Sequence, residues 1–280
     1  MSDSGHSPTD DSTPDPAAQG SGQAGAGHPK SVHPLALWQR DVWLCLGFFT
    51  RLPVKSVEGT LSEAVRAFPL AGLAVGLIGA LVYYLGFHIG LSAPLAALLA
   101  VAATGIVTGA LHEDGWADVC DALGARGGIE QRLEILRDSR LGSYGGLALI
   151  FATLIKVMAL AALTAPELVA GALVAAHTLS RGVLPLMMSR MTLARAEGLA
   201  ARAGRPSVTA ANWSLAIALI IAVVAVAPVA ALVALLAALA ATWLIAKLAQ
   251  KKFGGYTGDV LGAVEQVAEM AILVNLVTLI

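Results

Sequence analysis

The sequence predicts an all-α integral membrane protein, a polytopic bundle of about seven transmembrane helices with an N-terminal interfacial helix. Three observations carry this. Hydrophobic residues make up 57% of the chain and charged residues 13%, with a mean hydropathy of +0.74; a soluble domain carries roughly 25% charge. The apolar residues fall in runs near the ~20 that cross a hydrocarbon core. Lys and Arg gather in every second connection, as the positive-inside rule requires of a multi-pass chain.

Residues 1–33 are mostly Ser, Gly, Asp, Pro and Ala. Such a stretch cannot bury enough apolar surface to offset chain entropy, so it reads as a disordered tail. It lacks the basic start and apolar core of a signal peptide. Residues 34–280 form the membrane domain. Its first part, Leu35 to Leu52, mixes Trp38, Trp43, Phe48 and Phe49 with Arg40, Asp41 and Arg51, a pattern that favours the membrane interface. Pro53 stops that helix. Seven apolar runs follow, at 69–89, 91–111, 147–165, 168–188, 213–227, 229–247 and 261–280. Gly72, Gly76 and Gly79 form a small-residue stripe suited to close helix packing.

Arg51, Lys55 and Arg66 precede the first run. Arg126, Arg132, Arg137 and Arg140 lie between the second and third, and Arg190, Arg195, Arg202 and Arg205 between the fourth and fifth. Lys247, Lys251 and Lys252 separate the sixth and seventh, whereas the turns near Gly90, Ala165 and Pro228 carry no Lys or Arg. The N-terminus and three long connections are thus expected in the cytoplasm. A net charge of −1 points away from nucleic acid. Cys45 and Cys120 suggest neither a disulfide framework nor a zinc site, and read as free thiols.

The densest ionisable segment is the loop from His112 to Gly146. Asp114, Asp118 and Asp121 are spaced i, i+4, i+7 and share one face of a helix. A divalent cation relieves their repulsion, and carboxylate oxygen is the ligand Mg²⁺ prefers; a solvated face paired with Arg126, Arg132 and Arg137 is the alternative. Further on, Arg137 and Arg140 can hold phosphate oxygens among the glycines of Leu136–Gly146. A second glycine-rich segment, Gly254-Gly255-Tyr256-Thr257-Gly258-Asp259, opens the last run, where Asp259 could serve as an N-cap or a ligand. Glu265 and Glu269 inside that run mark a site or a water-filled cavity. Lys156, in the third run, is either their partner or a phosphate contact. Arg181 reads as a snorkelling residue and His177 as a packed one, while His112 beside the acids is the better proton carrier or metal neighbour. HExxH, GxSxG and Walker A patterns are missing. What remains suits magnesium-assisted phosphoryl transfer.

Four segments in order, Phe48-Phe49-Thr50-Arg51-Leu52-Pro53, His112-Glu113-Asp114-Gly115 through Asp118 and Asp121, Arg137-Asp138-Ser139-Arg140-Leu141-Gly142, and Gly254 through Asp259, resemble the cobalamin synthase family of adenosylcobinamide-GDP ribazoletransferases. The resemblance runs from about residue 35 to the end. It implies a multi-pass enzyme of the bacterial cytoplasmic (inner) membrane, with its active loops on the cytoplasmic side. Its small-molecule substrates would be adenosylcobinamide-GDP and α-ribazole or its 5′-phosphate, and its cofactor Mg²⁺. Asp114, Asp118 and Asp121 would hold the metal, with Asp259 completing the set. Glu113, where the family usually has leucine, adds a further carboxylate. Arg137 or Arg140 would stabilise departing GMP, and His112 or Asp138 would act as base. Ser139, Gly142, Lys156, Gly255, Thr257 and Gly258 would line the substrate. A homo-oligomer is left open. The nearest rivals are a CDP-alcohol phosphotransferase, whose signature needs an arginine this chain lacks, and a small-molecule transporter, for which no inverted repeat is seen.

Overall fold

The computed structural model describes residues 34–138 and 140–279; the tail expected over residues 1–33 and Ser139 lie outside them. Helix α1 is Pro34–Phe49. A short α2, Leu61–Ala64, runs through a 3-10 turn into α3, Phe68–His88. Next come α4 (Ala93–Thr108), α5 (Leu111–Gly124), α6 (Ile129–Ile135), α7 (Ser143–Leu163) and α8 (Pro166–Gly182). The chain continues with α9 (Leu184–Arg190), α10 (Leu199–Ala203), α11 (Val208–Val226), α12 (Pro228–Phe253) and α13 (Gly258–Leu279). Among the described residues, six helical segments are long and apolar enough to cross a membrane, and α4 with α5 makes a seventh if that bent pair counts as one. The chain is an all-α polytopic membrane protein.

The expected runs all become helices. The fifth and sixth are longer than hydropathy alone delimits. Ser207 caps α11, its Oγ accepting from the Ala210 N–H at 3.1 Å, so that helix starts ahead of the apolar run. Helix α12 continues through Lys251 and Lys252, cations in the last turn that the helix dipole favours.

The main departure lies at the acidic segment. It is not a loop but helix α5, turned 92° from α4. Gly109 and Ala110 both take left-handed backbone, at φ 64° and 55°, and this breaks the helix. For Ala110 that conformation is strained.

The glycine stripe of α3 packs as its spacing predicts. A Cβ on Gly72 would lie 2.2 Å from the His177 carbonyl oxygen, and one on Gly76 2.9 Å from that of Leu173. The backbones of α3 and α8 therefore touch, which small residues permit between helices in lipid. A second close approach joins α5 to α13. A Cβ on Gly115 would meet the Asp259 carbonyl oxygen at 2.8 Å, and one on Gly262 the His112 carbonyl oxygen at 3.1 Å. These contacts set the acidic helix against the start of α13 and bring α8 into the same bundle.

Helix α1 is anchored as well as amphipathic. Buried Asp41 accepts from Arg66 Nε at 2.8 Å and Arg40 Nη2 at 3.0 Å, and Arg66 lies over the Trp38 ring, 4.3 Å from its centroid. Cys45 and Cys120 are free thiols.

Candidate active site

Helix α5 puts Asp114, Asp118 and Asp121 on one face. Asp118 lies within electrostatic reach of Asp114, Asp259, Asp121 and Asp138, but among the described residues no three of these carboxylates bring their oxygens within 4.8 Å of one another. Among the described residues, Asp114 and Asp118 make no ion pair and no side-chain hydrogen bond. Helix α5 is held in place around them. Arg132 reaches back to its C-terminal carbonyls, donating to Ala122 and, at 3.0 Å, to Leu123. Trp116 Nε1 donates to the Ala148 carbonyl of α7 at 3.3 Å.

Asp121 plays a different part from its two neighbours. Its carboxylate accepts the backbone N–H of Gly142 and of Gly145, each at 2.8 Å, and so caps the start of α7. A Cβ on Gly142 would sit 2.4 Å from Asp121 Oδ1. Gly142 is therefore a close-packing residue.

Asp138 and Arg140 pair with one another on the exposed turn before α7, with Arg140 Nε 2.9 Å from Asp138 Oδ1. The hydrogen bonds from Arg140 hold the Asp138 carboxyl down at about 2, which makes it a weak base. Arg137 is exposed and makes no ion pair among the described residues.

The glycine-rich segment before α13 is built by backbone pairing. Tyr256 N–H donates to the Thr192 carbonyl at 3.0 Å, and Ala194 N–H to that of Tyr256 at 2.9 Å. A Cβ on Gly255 would lie 2.5 Å from the Thr192 oxygen, so only glycine fits there. Thr257 is buried. Its Oγ1 donates to Asp259 Oδ2 at 3.1 Å and accepts the Val260 N–H at 3.2 Å. Gly255 and Thr257 shape the helix start. Gly258 lines a pocket with Asp259, Asp114 and His112. Arg195, 3.3 Å from Asp259 Oδ2 through Nη2, joins the site from the connection after α9. Sequence reasoning had counted it only as a basic loop residue.

Beneath the aspartates, inside the bundle, lies a second polar cluster. Arg181, 1% exposed, donates to Glu265 Oε1 at 2.7 Å through Nη1. Ser180 Oγ donates to the same oxygen at 2.9 Å, and Gln266 Nε2 to Glu265 Oε2 at 2.9 Å. Lys156, 2% exposed, donates to Gln266 Oε1 at 3.0 Å and lies 3.5 Å from both Glu113 and Glu269. His177 packs against Arg181 and Glu269, with Nδ1 3.1 Å and 3.7 Å from them. His112 Nδ1 is 3.5 Å from Glu265 Oε2. The ligand atoms of His177, Glu265 and Glu269 lie within 4.8 Å of one another. Arg181 and Lys156 already supply positive charge there, so the cluster is an ion-pair network.

This network bears on three expectations. Glu113 points away from the aspartate face, toward Gln266 Nε2 at 3.3 Å and Lys156; one residue from Asp114 is about 100° around a helix. Lys156 meets the first of its two readings, as a partner of Glu269. Arg181 does not snorkel but is buried as half of an ion pair. The packed reading of His177 holds.

The cobalamin-5-phosphate synthase family model matches residues 41–277. A Bradyrhizobium diazoefficiens protein called adenosylcobinamide-GDP ribazoletransferase is 45% identical over 237 residues, covering 83% of this chain and 91% of its own length. Proteins of the same name from Mesorhizobium japonicum and Ralstonia nicotianae are 43% and 37% identical, covering 83% and 84% of this chain and 91% and 93% of their own lengths. No solved structure matches. With a carboxylate face at the mouth of a helical bundle and relatives of this similarity along most of its length, the chain belongs to the cobalamin-5-phosphate synthase family.

Proposed function

We infer that this chain is an adenosylcobinamide-GDP ribazoletransferase acting late in cobalamin biosynthesis, at the cytoplasmic face of the bacterial inner membrane and with Mg²⁺. The observation that carries the chemistry is Asp118, set among the charges of Asp114, Asp259, Asp121 and Asp138 beside a pocket. All-oxygen donors suit a hard divalent cation, and since no three of these carboxylates lie within 4.8 Å of one another among the described residues, binding would draw their side chains together. Asp114, Asp118 and Asp259 would hold it, with Asp121 adding charge while it caps α7. When bound, Mg²⁺ supplies neutralisation of the substrate pyrophosphate.

In the proposed reaction, a ribose hydroxyl of α-ribazole or its 5′-phosphate attacks the phosphorus that stays with the cobinamide. A P–O bond to the ribose forms, the bridging P–O bond breaks, and GMP leaves with that bond's electron pair. Positioning and charge do most of the work in such a transfer. Arg137, exposed and unpaired by carboxylate among the described residues, would meet the departing GMP; Arg140 is taken by Asp138. His112, on the pocket wall with Asp114, takes the hydroxyl proton. Asp138, held by Arg140, is the other candidate base. The basic connections, on the same face as the aspartates, support the cytoplasmic orientation.

The experiment is turnover by purified full-length protein given both substrates and Mg²⁺. GMP release that a chelator stops and Mg²⁺ restores supports the reading. Turnover at full rate in excess chelator contradicts the metal assignment.

A further inference from the structure

The pocket beside Asp114 and Asp259 has a composition that the phosphoryl chemistry does not use. One wall is a set of rings. Phe48 and Phe49 meet edge to face, with centroids 5.0 Å apart and planes at 86°. Phe49 and Phe68 do the same at 4.7 Å and 83°. His112 lies tilted against Phe49 at 5.6 Å. Leu184 and Met188, both buried, Leu111, and Ala203 of α10 add to the apolar lining. Its charged lining residues are Asp114 and Asp259, which also carry the proposed metal face.

We propose that this pocket seats the flat benzimidazole base of the ribazole, which places the ribose toward the aspartates. The inference rests on the transferase reading and adds to it a specificity site for one of the two substrates. Edge-to-face rings and a nearby thioether are the surroundings a planar apolar ring prefers. The other substrate's rings do not fit this chemistry. Guanine presents several hydrogen-bond donors and acceptors along its edges, and the wall of Phe48, Phe49 and Phe68 would strand those that face it. Adenine has the same difficulty through its exocyclic amine. The corrin, rimmed with amides, is far larger than a pocket bounded by single side chains. A benzimidazole glycosylated at one nitrogen has no ring donor left and one acceptor. Of the rings that the two substrates carry, it alone can be buried among phenylalanines at little polar cost.

The positions of the lining residues add to the argument. Phe48 and Phe49 belong to α1, Phe68 begins α3, and Met188 belongs to α9. The Asp41–Arg66 ion pair ties α1 to the start of α3, and the Phe49–His112 contact joins the phenylalanines to α5. That rigidity suits a site whose task is to aim a hydroxyl.

The test uses steady-state kinetics on the full chain in detergent or nanodiscs, with equilibrium binding of α-ribazole measured alongside. On the wild type, a ribazole analogue lacking both ring methyl groups is expected to lose roughly tenfold in kcat/KM. An analogue bearing adenine in place of the benzimidazole is expected to lose far more. Phe48→Ala, at a half-buried position on α1, is expected to raise the KM for α-ribazole roughly tenfold and to leave the KM for adenosylcobinamide-GDP within twofold. Ala203→Leu, which narrows the pocket from short α10, is expected to shift the same parameter in the same direction.

Insensitivity of the wild type to the base, or equal KM changes for both substrates in the variants, overturns the pocket assignment while turnover keeps the transferase reading. Wild-type protein that binds α-ribazole with this selectivity but releases no GMP overturns the transferase reading and keeps the pocket. Protein that neither binds α-ribazole nor turns over overturns both. The analogue series needs no variant, so a misfolded Phe48→Ala protein does not remove the test.

Discussion

The Asp121 carboxylate on α5 accepts the N–H of Gly142, at the start of α7, at 2.8 Å. With the matching bond from Gly145, this joins the acidic helix to its neighbour through a charge at a helix N-terminus. Asp121 thus differs from Asp114 and Asp118, although all three share a face.

That difference predicts a split between stability and activity. Asp121→Ala leaves two backbone donors without their acceptor and is expected to cost about 2 kcal/mol, seen as a Tm several degrees lower in detergent. Asp118→Ala removes a repelled charge with no hydrogen-bond partner. It is expected to hold or raise Tm while turnover falls by roughly a thousandfold or more. Thermal unfolding and GMP release on the same preparations decide between these outcomes.

Asp114→Asn keeps size and polarity but removes a charge from the proposed metal set. It is expected to abolish turnover and to leave a folded protein that still inserts in the membrane. Normal activity in this variant contradicts a metal role for the face.

The buried pair of Arg181 and Glu265, 2.7 Å apart, predicts strong non-additivity. Either partner replaced alone leaves an uncompensated charge inside the bundle and is expected to cost about 3–5 kcal/mol. Arg181→Met with Glu265→Leu is expected to cost less than the sum of the two single changes. A double-mutant cycle on Tm or on folded yield measures this.

Gly72→Ala is expected to disrupt the packing of α3 on α8, since its Cβ would fall 2.2 Å from a carbonyl oxygen that cannot move aside. Gly105→Ala, with nothing within 4 Å, is the control and is expected to be tolerated. Loss of folded yield in the first variant alone is the predicted result.

Hydropathy made the spans legible, because lipid requires long apolar helices. The glycine spacing in α3 made one helix contact legible too. The turn between α4 and α5 was hidden. Gly109 could signal a helix end, but nothing in an alanine announces the left-handed Ala110 that follows it. At the site, Asp114, Asp118 and Asp259 could be found because carboxylates at span ends are conspicuous. Glu113 was grouped with them by adjacency, although one helical step turns it to another face. Gly142 and Gly255 fit a ligand-binding loop and a tight backbone contact equally well in one dimension; only the position of Asp121 and of the Thr192 carbonyl separates the two. Gln266 links Lys156, Glu113 and Glu265, and carries no charge to draw notice in an apolar run. Arg181 looked like a snorkelling residue because it lies near the end of its helix, and its burial depends on α13.

The most direct test of the central claim is GMP released per α-ribazole consumed, measured with purified full-length protein, adenosylcobinamide-GDP and Mg²⁺. The structure predicts one GMP for each ribazole joined, and none when α-ribazole is withheld. GMP release that continues undiminished without α-ribazole, or α-ribazole left unconsumed while adenosylcobinamide-GDP is intact, would contradict it.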